Sequence, residues 1–93
     1  MTLVYLNDVS EIAVALPERA TATHYHFKFT NDYNYEVFTV ELEDVSDYKE
    51  RYSLFNVDAD AVGFTEEGDY TCEIYEYTTV VGDKVKEIFV KVL

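Results

Sequence analysis

Ninety-three residues, 48% of them hydrophobic and 16% aromatic, describe one small folded domain spanning 1–93 rather than a disordered chain. A chain of this size buries about 60–65% of its unfolded surface, which leaves room for one thin core and no sizeable internal active-site cavity. Nineteen acids against seven Lys and Arg give a formal charge of −12, which repels phosphate backbones and argues against direct DNA or RNA binding.

Thr2–Leu6 has the composition of a short first strand, with neither the basic start of a signal peptide nor the apolar length of a membrane span. Glu11–Leu16 predicts a second strand, ended by Pro17. Over Thr23–Thr30 the alternation is strict, with Tyr25, Phe27 and Phe29 on one face and His24, His26 and Lys28 on the other. Asn31-Asp32-Tyr33-Asn34 is rich in turn formers, and Glu36–Leu42 then returns with Phe38, Val40 and Leu42 inward. These two strands predict a hairpin with a loop longer than two residues.

Asp44–Phe55 breaks the strand rhythm. Asp47 and Glu50 have capping-box spacing, and Tyr48, Tyr52 and Phe55 recur at helical intervals, so a short helical turn is expected near residues 47–55. In Asn56–Val62 the alternation of Val57, Ala59 and Ala61 with Asp58 and Asp60 predicts a short edge strand. Asp69–Thr79 is a further strand, with Tyr70, Cys72 and Ile74 on its inner face. Val81-Gly82-Asp83-Lys84 is expected as a tight reversal before a last strand, Val85–Leu93, whose Ile88, Val90 and Val92 face in.

About seven short antiparallel strands with frequent turn signals predict an all-β sandwich. Tyr70, two residues before Cys72 and just after Gly68-Asp69, matches the corner of immunoglobulin-like sandwiches, where such a Tyr bonds a backbone group a few residues upstream, here near Glu66. The fold class read from the residues is therefore an Ig-like β-sandwich with one short helical turn. Cys72 is the sole cysteine, so no intrachain disulfide forms, and the segment Thr23–Phe29 expected to hold a partner in strand B has none. A disulfide-free fold suits a reducing cytoplasm.

The chemistry-bearing residues each have a plainer role beside the functional one. His24 and His26 share a strand face at a spacing that can present two nitrogens to zinc, but a site needs further ligands; two solvent-facing histidines are the alternative. Asp58 and Asp60 lack the following oxygen of a calcium loop, because the fifth position is Val62. Cys72 is flanked by acids that disfavour a thiolate. No catalytic triad, phosphate-binding glycine loop or nucleotide fingerprint is present, so the expectation is no enzyme, no cofactor and no metal. From Tyr52 to Asp83 there is no Lys or Arg, whereas the last strand carries Lys84, Lys86 and Lys91, which makes it the candidate partner interface. Tyr33 and Tyr35 at the hairpin tip are candidates for loop recognition.

Three segments are familiar when taken together: His26-Phe27-Lys28-Phe29-Thr30-Asn31-Asp32, Ser46-Asp47-Tyr48-Lys49-Glu50-Arg51-Tyr52-Ser53-Leu54-Phe55, and Glu67-Gly68-Asp69-Tyr70-Thr71-Cys72-Glu73-Ile74-Tyr75-Glu76. In this order and spacing the chain resembles small Ig-like structural proteins of tailed bacteriophages, nearest to podoviruses of Bacteroidetes including the crAss-like group. The resemblance implies a virion component of head-auxiliary, capsid-decoration or head-fibre type. Such a protein is made in the host bacterial cytoplasm and carried in the virion, bound to capsid proteins or its own copies, with a homo-oligomer expected and no contact with membrane or nucleic acid. The alternative is a receptor- or carbohydrate-binding module using Tyr33 and Tyr35. A third reading is an acidic intracellular inhibitor that mimics DNA.

Overall fold

The computed structural model describes residues 2–15, 24–45, 53–64, 66–77 and 80–93. Its elements are β1 (Thr2–Val4), β2 (Val9–Val14), β3 (His24–Asn31), β4 (Val37–Glu43), β5 (Ser53–Asp58), α1 (Ala59–Val62), β6 (Gly68–Tyr77) and β7 (Val81–Val92). A five-stranded sheet has the order β1-β7-β6-β3-β4, and β2 pairs with β5 in a second sheet. β6 is flanked by β3 and β7, with β4 outside β3, while β2 and β5 stand in the opposite sheet. In immunoglobulin nomenclature these are strands F, C, G, C′, B and E, so the chain is an all-β, Ig-like sandwich.

The alternation in β3 places its residues as expected. Tyr25, Phe27 and Phe29 are buried, and across the ladders stand Tyr70, Cys72 and Ile74 of β6, then Val90 and Val92 of β7. The second sheet contributes Ile12, Val14, Phe55 and Val57 to the same core. Phe55 fastens the two sheets: its ring meets Phe27 edge-on at 4.7 Å and Tyr25 at 5.6 Å between centroids.

Several expectations are corrected in detail. The helical turn expected near 47–55 lies outside the described residues as far as 52, and Ser53–Phe55 open β5. The short helix of the described residues follows β5 instead, so Asn56–Val62 is strand only to Asp58. Asp58 Oδ1 accepts the amides of Asp60 at 3.0 Å and Ala61 at 3.4 Å, which caps the helix start, and Gly63 closes it at φ 98. Ala61, expected inward, is exposed as a result.

One pairing is not antiparallel, since β1 runs parallel to β7 from Thr2↔Val90 to Val4↔Val92. The two strands lie at opposite ends of the chain with no hairpin between them, so no tight turn imposes opposite directions. The strand B position is also reassigned. β3 is a same-sheet neighbour of β6, with Phe29 opposite Cys72, whereas β2 faces the core from the other sheet with Ser10, Ile12 and Val14.

The reversal expected at Val81–Lys84 is strand, because Val81 already stands opposite Tyr77. Gly82 serves a close approach rather than a turn: a Cβ there would come within 3.2 Å of the Glu76 carbonyl oxygen. Tyr70 takes the corner position. Its Oη donates to the Glu66 carbonyl at 3.4 Å, and its ring meets Phe64 at 5.0 Å. A bond of that length is weak, so the buried ring is the larger part of the anchor.

Candidate functional site

The outer face of the five-stranded sheet is built from the residues that alternate away from the core. Register lines them up in rows: Phe89–Thr71–Thr30–Val37, then Glu87–Glu73–Lys28–Thr39, then Lys84–Tyr75–His26–Glu41, then Val81–Tyr77–His24–Glu43. At its centre, Tyr75 Oη donates to Glu73 Oε2 at 3.0 Å, and Lys84 Nζ donates to Glu73 Oε2 at 3.3 Å and Glu87 Oε2 at 3.1 Å. The Tyr75 hydrogen bond, joined by Lys84 and outweighing burial, holds the Glu73 carboxyl below its ordinary range. The stabilisation this represents is present above that ordinary range and lost as pH falls through the lowered value. Solvent exposure keeps it small.

The candidate lysines do not form one patch. Lys84 is engaged with Glu73 and Glu87, while Lys86 and Lys91 make no ion pair among the described residues. Lys91 stands opposite Asp69, on the outer face. Lys86 stands opposite the buried Ile74, on the other side of the sheet, because an irregularity in the β6–β7 ladder inserts one extra residue in β7 between Lys86 and Lys84. The sequence shows no mark of that extra residue.

What unites the strand is its edge. β7 is 12 residues long and pairs with β6 from Val81 to Val92, but β1 covers its other side only at Val90–Val92. From Val81 to Phe89, nothing among the described residues pairs with that side. Phe89 is 63% exposed. At the opposite edge of the sheet, β4 presents Val37, Thr39, Glu41 and Glu43 outward. Phe89 and Val37 escaped notice in the sequence because each sits in a strand that otherwise alternates apolar-in.

The hairpin tip is a second candidate. Asn31 is buried, and its Oδ1 accepts the amides of Tyr33 at 2.8 Å and Asn34 at 3.2 Å; Asn34 Oδ1 accepts from Glu36 at 2.9 Å. Thr71 Oγ1 donates to Asp32 at 2.8 Å and ties the tip to β6. This bracing holds Tyr35 at φ 60, an uncommon conformation for a bulky residue, and leaves Tyr33 and Tyr35 at 93% and 76% exposed. Beside Tyr33 an open groove of about 400 Å³ runs between Asn31–Tyr33 and Glu66–Asp69. Tyr33 and Tyr35 are thus brought together at one end of the sheet, and the lysines of β7 belong to its edge.

The remaining sequence candidates have structural roles or none. His26 Nδ1 lies 2.9 Å from Glu41 Oε1, and no group of three or more His, Cys, Asp or Glu among the described residues is placed to hold a metal ion. Asp58 is a helix cap. Cys72 is fully buried, and burial, reinforced by Glu73, pushes its thiol far above the ordinary range. Its labelling by an aromatic disulfide reagent should therefore be slower in the native protein than in denaturant by on the order of a thousandfold. Comparable rates in the two states would show that the core opens readily. No helix among the described residues is long and apolar enough to cross a membrane.

No family model, curated protein or solved structure matches this chain.

Proposed function

We propose that this chain is a non-enzymatic structural protein of a tailed-phage virion, a capsid auxiliary, decoration or head-fibre component that binds capsid proteins or its own copies. The observation that carries the reading is the edge of β7 from Val81 to Phe89, which no described residue pairs with, a ready site for protein association on a disulfide-free sandwich. It is supported by the resemblance in His26–Asp32, Ser46–Phe55 and Glu67–Glu76 to phage structural proteins. An acidic exterior of formal charge −12 suits a protein that stays off nucleic acid. The domain works without cofactor or metal and away from membranes, and it is made in the host cytoplasm before joining the particle. Mass spectrometry of purified particles should find the chain at a fixed copy number. Its absence from particles that carry its gene overturns the proposal.

A second reading is favoured by the braced hairpin tip: Tyr33 and Tyr35 act as stacking anchors for a host carbohydrate or receptor. Tyr33→Ala with Tyr35→Ala should then reduce adsorption of particles to host cells. Under the assembly reading adsorption stays unchanged.

A further inference from the structure

The two edges of the five-stranded sheet match in length and direction, and one row sets opposite charges level. β4 spans Val37–Glu43, and the register rows place Val37 level with Phe89, Thr39 with Glu87, Glu41 with Lys84 and Glu43 with Val81. The rows occupied by β4 at one edge are therefore the rows that no described residue pairs with on β7 at the other. β1 fills only the remaining rows, from Val90 to Val92. β4 also runs antiparallel to β7, since the three intervening ladders each reverse direction.

We infer that β7 of one copy accepts β4 of a second copy as an antiparallel strand, extending the sheet head to tail. This deepens the assembly reading above and rests on it. A neighbouring copy displaced sideways across the sheet meets β7 in the right direction and register. It places Val37 against the exposed Phe89, Thr39 against Glu87, and Glu41 against Lys84. An apolar pair and an oppositely charged pair thus face each other across the new ladder. The inserted residue between Lys86 and Lys84 is already matched by this spacing, because Thr71, Glu73 and Tyr75 of β6 meet Phe89, Glu87 and Lys84 at the same intervals as Val37, Thr39 and Glu41 would.

The symmetric alternative, β7 against β7, sets Lys84 against Glu87 and Phe89 against Val81 of the second copy in the same rows, and it predicts no cross-link between positions 37 and 89. A β4–β7 contact is heterologous, so it leaves a free edge at each end and builds open chains, which sheet twist winds into a helix. Repulsion between copies of charge −12 opposes the contact at low salt. At physiological ionic strength, with a screening length of about 8 Å, the directly apposed groups dominate.

Directly opposed residues on antiparallel strands have Cβ atoms about 4.5–5.5 Å apart, close to disulfide reach. Val37→Cys and Phe89→Cys are both at exposed positions and leave the core untouched. Mixed under oxidised glutathione at physiological salt, the two variants should give covalent dimers at least about tenfold above either variant alone, through the raised effective concentration of the thiols. Yields in the mixture no greater than in the separate variants overturn the inference. Adding Glu41→Lys to the Val37→Cys partner should lower the yield about three- to fivefold, and adding Lys84→Glu to the Phe89→Cys partner should restore it. A yield indifferent to both changes overturns the register. The outcome is separate from that of the particle test: a chain found in particles that does not cross-link keeps its assembly role through other proteins, and a chain that cross-links but is absent from particles loses it.

Discussion

Phe55→Ala should destabilise the fold by about 3–5 kcal/mol, the largest effect of any single truncation at a fully buried position. Phe55 comes from the two-stranded sheet and is completely buried against Tyr25 and Phe27 of the five-stranded one. Its removal opens a cavity between the layers, and with β2 and β5 the only strands on that side among the described residues, few neighbours can collapse into it. A domain of this size has a total stability of about 5–14 kcal/mol, so about a fifth or more is lost. The melting temperature should fall by about 12–40 °C at the 4–8 °C per kcal/mol expected of small domains. Phe89→Ala is the control: its ring is 63% exposed, and the change should stay within about 0.5 kcal/mol. Urea midpoints at constant m-value would measure both, and a Phe55→Ala cost below about 1.5 kcal/mol would show that the sheets are held elsewhere.

Phe55 also shows how unevenly the fold was legible. Its helical spacing from Tyr48 and Tyr52 pointed to a turn, yet the residue pairs with Ile12 in a strand. β3 and β6 were readable because each alternates without interruption and each covers one core face. The pairing of β1 with β7 was not, since it joins the two ends of the chain and leaves no local signal. Nor was α1: Val57-Asp58-Ala59-Asp60-Ala61 alternates like an edge strand, and only the capping bonds from Asp58 decide for the helix.

The candidate interface was legible as a strand but not as a surface. Composition singled out Lys84, Lys86 and Lys91 as bases in an acidic chain. Period-2 reasoning gives Lys84 and Lys86 the same face, and the inserted residue in β7 separates them. The stretch of β7 that no described residue pairs with depends on how short β1 is. That length is set by the departure toward β2 after Val4, which the apolar run Thr2–Leu6 does not announce.

Reversing all three lysines, with Lys84→Glu, Lys86→Glu and Lys91→Glu, should reduce incorporation into particles at least about tenfold while the domain still folds. The lysines occupy both faces of one strand, so no single flat patch is removed. What changes is the charge along the whole edge, which becomes uniformly acidic beside Asp69, Glu73, Asp83 and Glu87. A partner strand laid against that edge then meets repulsion on either side of the sheet. The core is untouched, because Lys84, Lys86 and Lys91 are all exposed, and the internal loss is confined to the pairs of Lys84 with Glu73 and Glu87. Circular dichroism should therefore show a native spectrum and a modest drop in melting temperature. Copy number per particle, measured by quantitative mass spectrometry, is the deciding quantity. Wild-type occupancy by the triple variant would remove β7 as the attachment edge, whereas lost occupancy with an intact fold ties assembly to that strand.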